Sequence, residues 1–216
     1  MTIRINYSKS NSKNNTSNLV LFVDQNFNIS HLKKYISSAE YAYIADLLKN
    51  SDLKKEIIIF EISSKKKIFL ISIKKDLRAS NIENLGAKFH RHIAIDKADN
   101  YFINSDTINS KIKNFVGYFL HGIKLKSYEF NVYKSKKNKK LVSISVIGNK
   151  NKVSTKDQLR FKALEEGTFF ARDLVSEPGN ILHPDEYAKR INSLKKFGLK
   201  INIYDEKKLK KLGMNA

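Results

Sequence analysis

The stretch EIIIFEISSKKKIFLISI, residues 56–73, decides the fold of the first part of the chain. It holds two β-rich runs, residues 56–62 and 67–73, joined by a short polar segment. Isoleucine and phenylalanine fit the pleated surface of a strand, and a short polar segment between two such runs is typical of a turn. The stretch therefore predicts a β-hairpin with its tip at Ser63–Lys66.

Four further β-rich runs lie outside this hairpin, and helical patterns lie between the runs. The runs are residues 3–7, 19–23, 101–104 and 141–147. The helical patterns place an apolar residue at every third or fourth position, which is the period of an amphipathic helix. They cover residues 30–47 with Ser30 as the N-cap, about 80–92, and about 107–122. Strands that alternate with helices predict an α/β domain with a mixed sheet covered on both faces.

A second hairpin is predicted from SYEFNVYKSKKNKKLVSISVIG, residues 127–148. Its tip, Lys134–Lys140, has five lysines in seven residues. Like charges at a turn are easily solvated and discourage edge-to-edge association of sheets. The polar segment 148–158 that follows lacks apolar periodicity. We therefore expect one domain over residues 1–150 and a second over residues 151–216.

Charge gives a weaker indication of function than the pattern of elements. The 216 residues carry a formal net charge of +20, but only six of the 41 basic residues are arginine. Because paired hydrogen bonds to bases and phosphates favour arginine, the charge indicates a solvated lysine surface, encoded by an A- and T-rich sequence, more than a nucleic-acid reader. A basic nucleic-acid-binding or regulatory module stays the alternative, since Tyr128, Phe130 and Tyr133 interleave with lysines in residues 128–140.

The absence of cysteine excludes several kinds of chemistry. Without it the chain has no disulfide, no zinc–thiolate site and no thiol nucleophile. The apolar run LVLFV is shorter than the core of a signal peptide, which has about 7–15 apolar residues. No run approaches the roughly 18 apolar residues of a membrane span. We expect a cytoplasmic protein with no membrane contact.

Both prolines of the chain lie in ARDLVSEPGNILHPDEYAKR, residues 171–190. A helix is predicted to begin at a capping box formed by Thr155 and Gln158, or by Ser154 and Asp157, and Pro178 prevents its continuation. Pro184 suits the first turn of a second helix. That helix is expected to bury a stripe of four residues and to end at Gly198; the stripe is Tyr187, Ala188, Ile191 and Leu194.

The remaining residues predict one more strand and one more helix. LKINIYD, residues 199–205, has the alternation of a strand, and Asp205 can cap a last helix that ends at Gly213. Helix, corner, helix, strand and helix predict the opening of a second α/β domain.

Residues 165–216 resemble the entry to the catalytic domain of the leucine aminopeptidase, or cytosol aminopeptidase, family. That family shows a helix with a pattern like A-R-D-L-x-N-x-P-x-N. It continues with Thr-Pro and an acidic residue, a G-L-x-V strand, and an acidic-Lys-Leu helix that closes on Gly-Met. The matching residues are Ala171, Arg172, Asp173, Leu174, Glu177, Pro178, Asn180, Pro184, Gly198, Leu199, Leu209, Gly213 and Met214.

Upstream, NLGAKFHRHI (84–93) and GIKLKSYEFNVYKSKKNKK (122–140) resemble the same family's amino-terminal domain, which is similar in fold to the macro domains. The chain departs from the family's pattern at three places. Ser176 stands where Asn is usual, and His183 replaces a Thr cap. Two lysines, at positions 74 and 75, follow the run 67–73 where a glycine-rich turn is expected.

The resemblance implies a macro-domain-like α/β mixed sheet with flanking helices, followed by the incomplete start of a second, zinc-peptidase-like α/β domain. It also implies a two-metal exopeptidase that uses manganese or zinc, releases N-terminal amino acids from peptides and assembles as a homo-hexamer. The family's metal ligands and catalytic groups lie in motifs like V-G-K-G-x-x-F-D-x-G-G and N-T-D-A-E-G-R, and neither occurs here. We therefore expect no catalytic, metal-binding or cofactor-binding residue in this chain, and no activity of the truncated chain alone.

Other candidate ligands in the sequence favour structural roles. His90 and His92 are two positions apart, so on a helix they point to different faces and cannot share a metal. Isolated histidines and adjacent carboxylates are better explained by helix surfaces and helix starts than by catalysis; these are His31, His121, His183, Glu165–Glu166 and Asp185–Glu186. A macro-like fold also raises an ADP-ribose-type ligand, which the missing glycines disfavour.

Overall fold

The computed structural model describes residues 2–7, 17–135 and 140–214, which fall into two units that meet between Gly167 and Thr168. The first unit holds six strands: β1 (Thr2–Tyr7), β2 (Asn18–Asp24), β3 (Ile57–Ser63), β4 (Lys66–Ile73), β5 (Asn100–Asn104) and β6 (Leu141–Ile147). Its helices are α1 (Ser38–Leu48), α2 (Ala79–Ile95), α3 (Phe115–Lys126), most of α4 (Thr155–Ser176) and two 3-10 helices, Ser30–Lys34 and Ser105–Thr107. The second unit holds the end of α4, α5 (Pro184–Asn192), a 3-10 helix Ser193–Phe197, and α6 (Glu206–Lys211). The domain boundary predicted near residue 150 stays a prediction.

The six strands form one mixed sheet in the order β1-β6-β5-β2-β4-β3. Five strands run parallel, and β3 pairs antiparallel with β4 at one edge. The hairpin predicted from residues 56–73 is therefore confirmed, with its turn between Ser63 and Lys66. The predicted mixed α/β sheet with flanking helices is confirmed as well.

The central position of β2 and β4 follows from their unbroken apolar runs. A strand with helices on both faces needs apolar side chains on both, so its residues do not alternate with polar ones. In β2, Val20 and Phe22 face one core, while Leu19, Leu21 and Val23 face the other. The same division holds in β4, where the first core receives Phe69, Ile71 and Ile73 and the second receives Ile68 and Leu70.

Each face of the sheet is covered by its own helices. The first core is completed by α2 and α3 through Ile82, Leu85, Phe89, Ile93, Phe115, Val116, Phe119, Leu120 and Ile123. The second core is completed by α1 and the segment before it through Phe27, Ile29, Leu32, Ile36 and Ile44. The helix predicted at about residues 80–92 is confirmed as α2, and its apolar residues at every third or fourth position are all buried; they are Ile82, Leu85, Phe89 and Ile93.

Two glycines let α2 and α3 touch backbone to backbone. A Cβ at Gly86 of α2 would overlap the carbonyl oxygen of Phe119, and a Cβ at Gly122 of α3 would overlap the carbonyl oxygen of Glu83. A third glycine of α3, Gly117, leaves room for the ring of Phe161 on α4. Glycine at these positions therefore sets the distance at which the helices pack.

Two helices begin later than the sequence predicts. Ser30 does not cap a long helix, since it opens a 3-10 helix, and α1 is capped instead by Ser37, whose side chain accepts the N–H of Glu40. The carboxylate of Glu40 accepts the N–H of Ser37 in return, at 2.8 Å, which completes a capping box. The helix predicted from residue 107 begins only at Phe115, because Asn114 adopts a left-handed conformation with φ +58° that breaks the helical path.

The second predicted hairpin is wrong. β6 pairs in parallel with β1 and β5, and residues 128–135 form turns and irregular backbone instead of a strand. With β1 on one side and β5 on the other, β6 has a hydrogen-bonding partner at both edges, whereas a hairpin partner would supply only one. Residues 136–139 of the predicted lysine-rich tip lie outside the described residues.

Two predictions for the carboxy-terminal residues need correction, and one of the two alternatives for the start of α4 is confirmed. Ser154 caps α4, since it accepts the N–H of Asp157 at 3.1 Å, whereas Gln158 of the other alternative donates to the carbonyl of Val153. Residues 199–205 form no strand. The stripe predicted on α5 and the turn after it is not buried: Tyr187 is 47 % exposed, and Ala188, Ile191 and Leu194 are partly exposed. The cap of α6 is confirmed, since Asp205 accepts the N–H of Lys208 at 2.9 Å.

Asp96, the C-cap residue of α2, makes a group of polar contacts near the start of β4 and β5. Its side chain is largely buried. Its carboxylate accepts the hydroxyl of Tyr101 at 3.0 Å and lies 3.3 Å from the ammonium of Lys67. Burial by itself raises the pKa of Asp96, but the hydrogen bonds from Tyr101 and Lys67 outweigh it, so the pKa lies below its ordinary value. Asp96 is therefore ionised and stabilising in the folded chain at neutral pH.

The glycine contacts give a test of the α2–α3 packing. Gly86→Ala should lower the free energy of unfolding by about 2 kcal/mol or more, because the new Cβ meets backbone atoms that cannot rotate away. Gly167→Ala on α4 is the matched control: its Cβ meets no other part of the described chain, so the higher helix propensity of alanine should stabilise by about 0.5–1 kcal/mol. Urea unfolding followed by circular dichroism measures both. Equal effects of the two substitutions would contradict the packing account.

The lowered pKa of Asp96 gives a pH-dependent prediction. Its ionised form stabilises the fold above the ordinary carboxyl pKa, and this contribution is lost as the pH falls through the lowered pKa. Asp96→Asn should therefore be less stable than the wild type at neutral pH, and the difference should shrink in strongly acidic solution. Unfolding curves across this pH range test it. Asp46→Asn, at an exposed pair with Lys49, is the control and should leave the pH profile unchanged.

Candidate functional site

Several hydrogen bonds hold the corner between α4 and α5. After α4 ends at Ser176, the carbonyl of Pro178 accepts the N–H groups of Ile181 and Leu182, each at 2.9 Å. Pro184 then occupies the first turn of α5. The predicted order of helix, stiff corner and helix is therefore confirmed, because each proline stands where its missing N–H is not needed.

Arg190 holds this corner from the side of α5. Its Nη1 lies 2.9 Å from Oε1 of Glu177, and its Nε lies 3.0 Å from Oε1 of Glu186. The side chain of Glu177 is only 6 % exposed, so its carboxylate depends on charged partners in place of water. Hydrogen bonds from Arg190 lower the pKa of Glu186, and those to Glu177 and Glu186 raise the pKa of Arg190.

His183 stands at the N-cap position of α5, but its imidazole makes no capping hydrogen bond. His183 therefore stands where the family pattern has a threonine cap, but its side chain does not cap the helix. Asp185 and Glu186 follow in the first turn, where the helix dipole favours negative charge.

The described residues from 168 to 214 include no buried apolar residue. Several of their large apolar residues are strongly exposed, and these include Val175 at 88 %, Phe197 at 67 %, Met214 at 60 %, Leu212 at 56 % and Leu199 at 55 %. A domain is ordinarily stabilised by apolar side chains that pack together away from water. Within the described chain, this segment therefore lacks a core of its own.

The other histidines lie apart from this corner, in the first unit. His90 and His92 are both on α2, and burial lowers the pKa of each, so the neutral imidazole is favoured. His31 lies in a 3-10 helix, where its Nε2 is 3.2 Å from the carbonyl oxygen of Phe22. His121 lies within α3, away from its ends, and its buried ring contacts Glu83 at 2.8 Å.

The paired carboxylates lie on helices, as predicted. Glu165 forms an ion pair with Lys124 of α3 at 3.1 Å, and Glu166 pairs with Lys162 of its own helix at 3.7 Å. Among the described residues, no group of three or more His, Cys, Asp or Glu side chains could hold a metal ion.

The basic stretch proposed as an alternative nucleic-acid surface is described only up to residue 135 and at residue 140. Phe130 and Tyr133 pack edge to face, with ring centroids 5.8 Å apart. The ammonium of Lys140 donates to the carbonyls of Ile93 and Asp96 at the end of α2. One lysine of the stretch therefore caps a helix.

The polar residues at the carboxyl ends of the parallel strands were not predicted from the sequence. Asp24 ends β2, and Asp106 follows β5 within two residues; both line one crevice together with Asn28 and Lys150. A signal was available, because a carboxylate directly after a buried strand lies where ligands bind in parallel α/β sheets. In the part of the chain that the structure describes, none of the helices combines the length and the hydropathy of a membrane span.

Comparison with known proteins matches the second unit to a peptidase family. Residues 169–216 match the profile described as "Cytosol aminopeptidase family, catalytic domain". The chain is 38 % identical over 104 residues to a probable cytosol aminopeptidase of Agrobacterium fabrum, an alignment that covers 45 % of this chain and 21 % of that protein.

Two solved structures share the fold. A mutant of tomato leucine aminopeptidase superposes with a TM-score of 0.71 at 17 % identity, over 98 % of this chain and 46 % of the other. The bottromycin maturation enzyme BotP in complex with Mn superposes with a TM-score of 0.64 at 15 % identity, over 92 % of this chain and 40 % of the other.

The chain spans less than half the length of these proteins: about a fifth of the curated relative and 40–46 % of the two structures. The residues that match the family profile, 169–216, include the end of α4, the corner and α6. The resemblance is confirmed: the chain is similar to the leucine aminopeptidases, or cytosol aminopeptidases, and its residues 169–216 match the profile of their catalytic domain.

Proposed function

We propose that this chain is the amino-terminal part of a leucyl aminopeptidase, an exopeptidase that releases N-terminal amino acids from peptides. The observation that carries the proposal is the match of residues 169–216 to the catalytic domain of the cytosol aminopeptidases. The superposition on tomato leucine aminopeptidase extends over 98 % of the chain and supports the proposal. Because the two sequences are only 17 % identical, this support concerns the fold alone.

The exposed apolar side chains of the second unit support the same proposal. A segment with no buried apolar residue is stable only when other polypeptide covers its apolar surface. In this proposal the covering polypeptide is the rest of the catalytic domain, and the corner pinned by Arg190 fixes how the chain enters it. The sheet of the first unit then serves as the enzyme's amino-terminal domain.

The metals of the proposed enzyme are two divalent ions, manganese or zinc, which would activate the attacking water. BotP, a fold relative, was solved in complex with Mn. The described residues of this chain do not fit a two-metal centre, since they include no group of three ligands. The proposal therefore assigns the metals to the part of the enzyme that carries the two family motifs, and neither motif occurs in these 216 residues.

The partners and location of the proposed enzyme follow from the family. Its substrates are peptides, its assembly is a homo-hexamer, and its location is cytoplasmic, as the name of the cytosol aminopeptidase relatives indicates for those proteins. A basic nucleic-acid-binding or regulatory module stays the alternative, and the net charge of +20 is the observation behind it.

The proposal predicts that the 216-residue chain alone releases no leucine from a leucyl peptide, with or without added Mn²⁺ or Zn²⁺. The physical reason is that the described residues include no group of metal ligands that could activate water. Amino-acid release measured by mass spectrometry tests this, with the complete tomato enzyme as the positive control. Metal-stimulated release by the isolated chain would refute the proposal that the metals bind outside these 216 residues.

Because Arg190 contacts both Glu177 and Glu186, substitution of Arg190 should loosen the corner locally. Arg190→Lys keeps the charge but loses the planar fork that contacts Glu177 and Glu186 together, so the corner should loosen. Hydrogen exchange at Ile181 and Leu182 should accelerate, while exchange in α2 should stay unchanged. Lys189→Arg on the exposed side of the same helix is the matched control. Equal protection of the corner in all three proteins would show that Arg190 does not hold it.

A further inference from the structure

We draw no further inference here: the strongest candidate, the cavity of about 310 Å³ lined by β1, α3 and α4 beside the buried ring of His121, carries nothing, because Nε2 of His121, which has no hydrogen-bond partner among the described residues, is shut off from solvent, and nothing in the structure shows what would bind in the cavity.

Discussion

The contact of α2 with α3 through Gly86 and Gly122 is the constraint on which the first unit depends. The two helices cover one face of the sheet together, and their backbones touch where any larger residue would separate them. Phe89 and Phe119 meet at this contact, with ring centroids 5.7 Å apart, and pack down onto the central strands. The position of α4 follows in turn, because Phe161 enters the space that Gly117 leaves on α3. A shift between α2 and α3 would therefore disturb a whole face of the sheet and the helix beyond it.

The sequence predicts those elements whose pattern is local. The hairpin at residues 56–73 and helix α2 show their period in their own residues, and both are where the pattern indicates. β6 shows the limit of this reasoning. Its apolar run identifies a strand, but its partners β1 and β5 lie far away in the chain, and no local signal names them. The wrong second hairpin arose from joining β6 to its nearest neighbour in sequence.

The starts of two helices were predicted wrongly for a different reason. Ser30 and Ser37 are both serines before an apolar pattern, and the choice between them depends on Glu40, which completes a capping box at Ser37 and pairs with Lys66 at 2.6 Å. Asn114 takes a left-handed conformation that its residue type permits but does not require. For the candidate site, the prolines and the cap at Asp205 were predictable, whereas the crevice was not. The crevice appears only when the strand order brings the loops after β2, β5 and β6 together.

In the proposed function these 216 residues form part of a larger aminopeptidase. The most direct test is the intact mass of the native product isolated from its source cells, with leucyl-peptide hydrolysis assayed on the same material. The account predicts a mass well above the 24.9 kDa of this sequence, or stable association with a second polypeptide, together with metal-dependent hydrolysis. A product of 24.9 kDa without an associated polypeptide or aminopeptidase activity would contradict it.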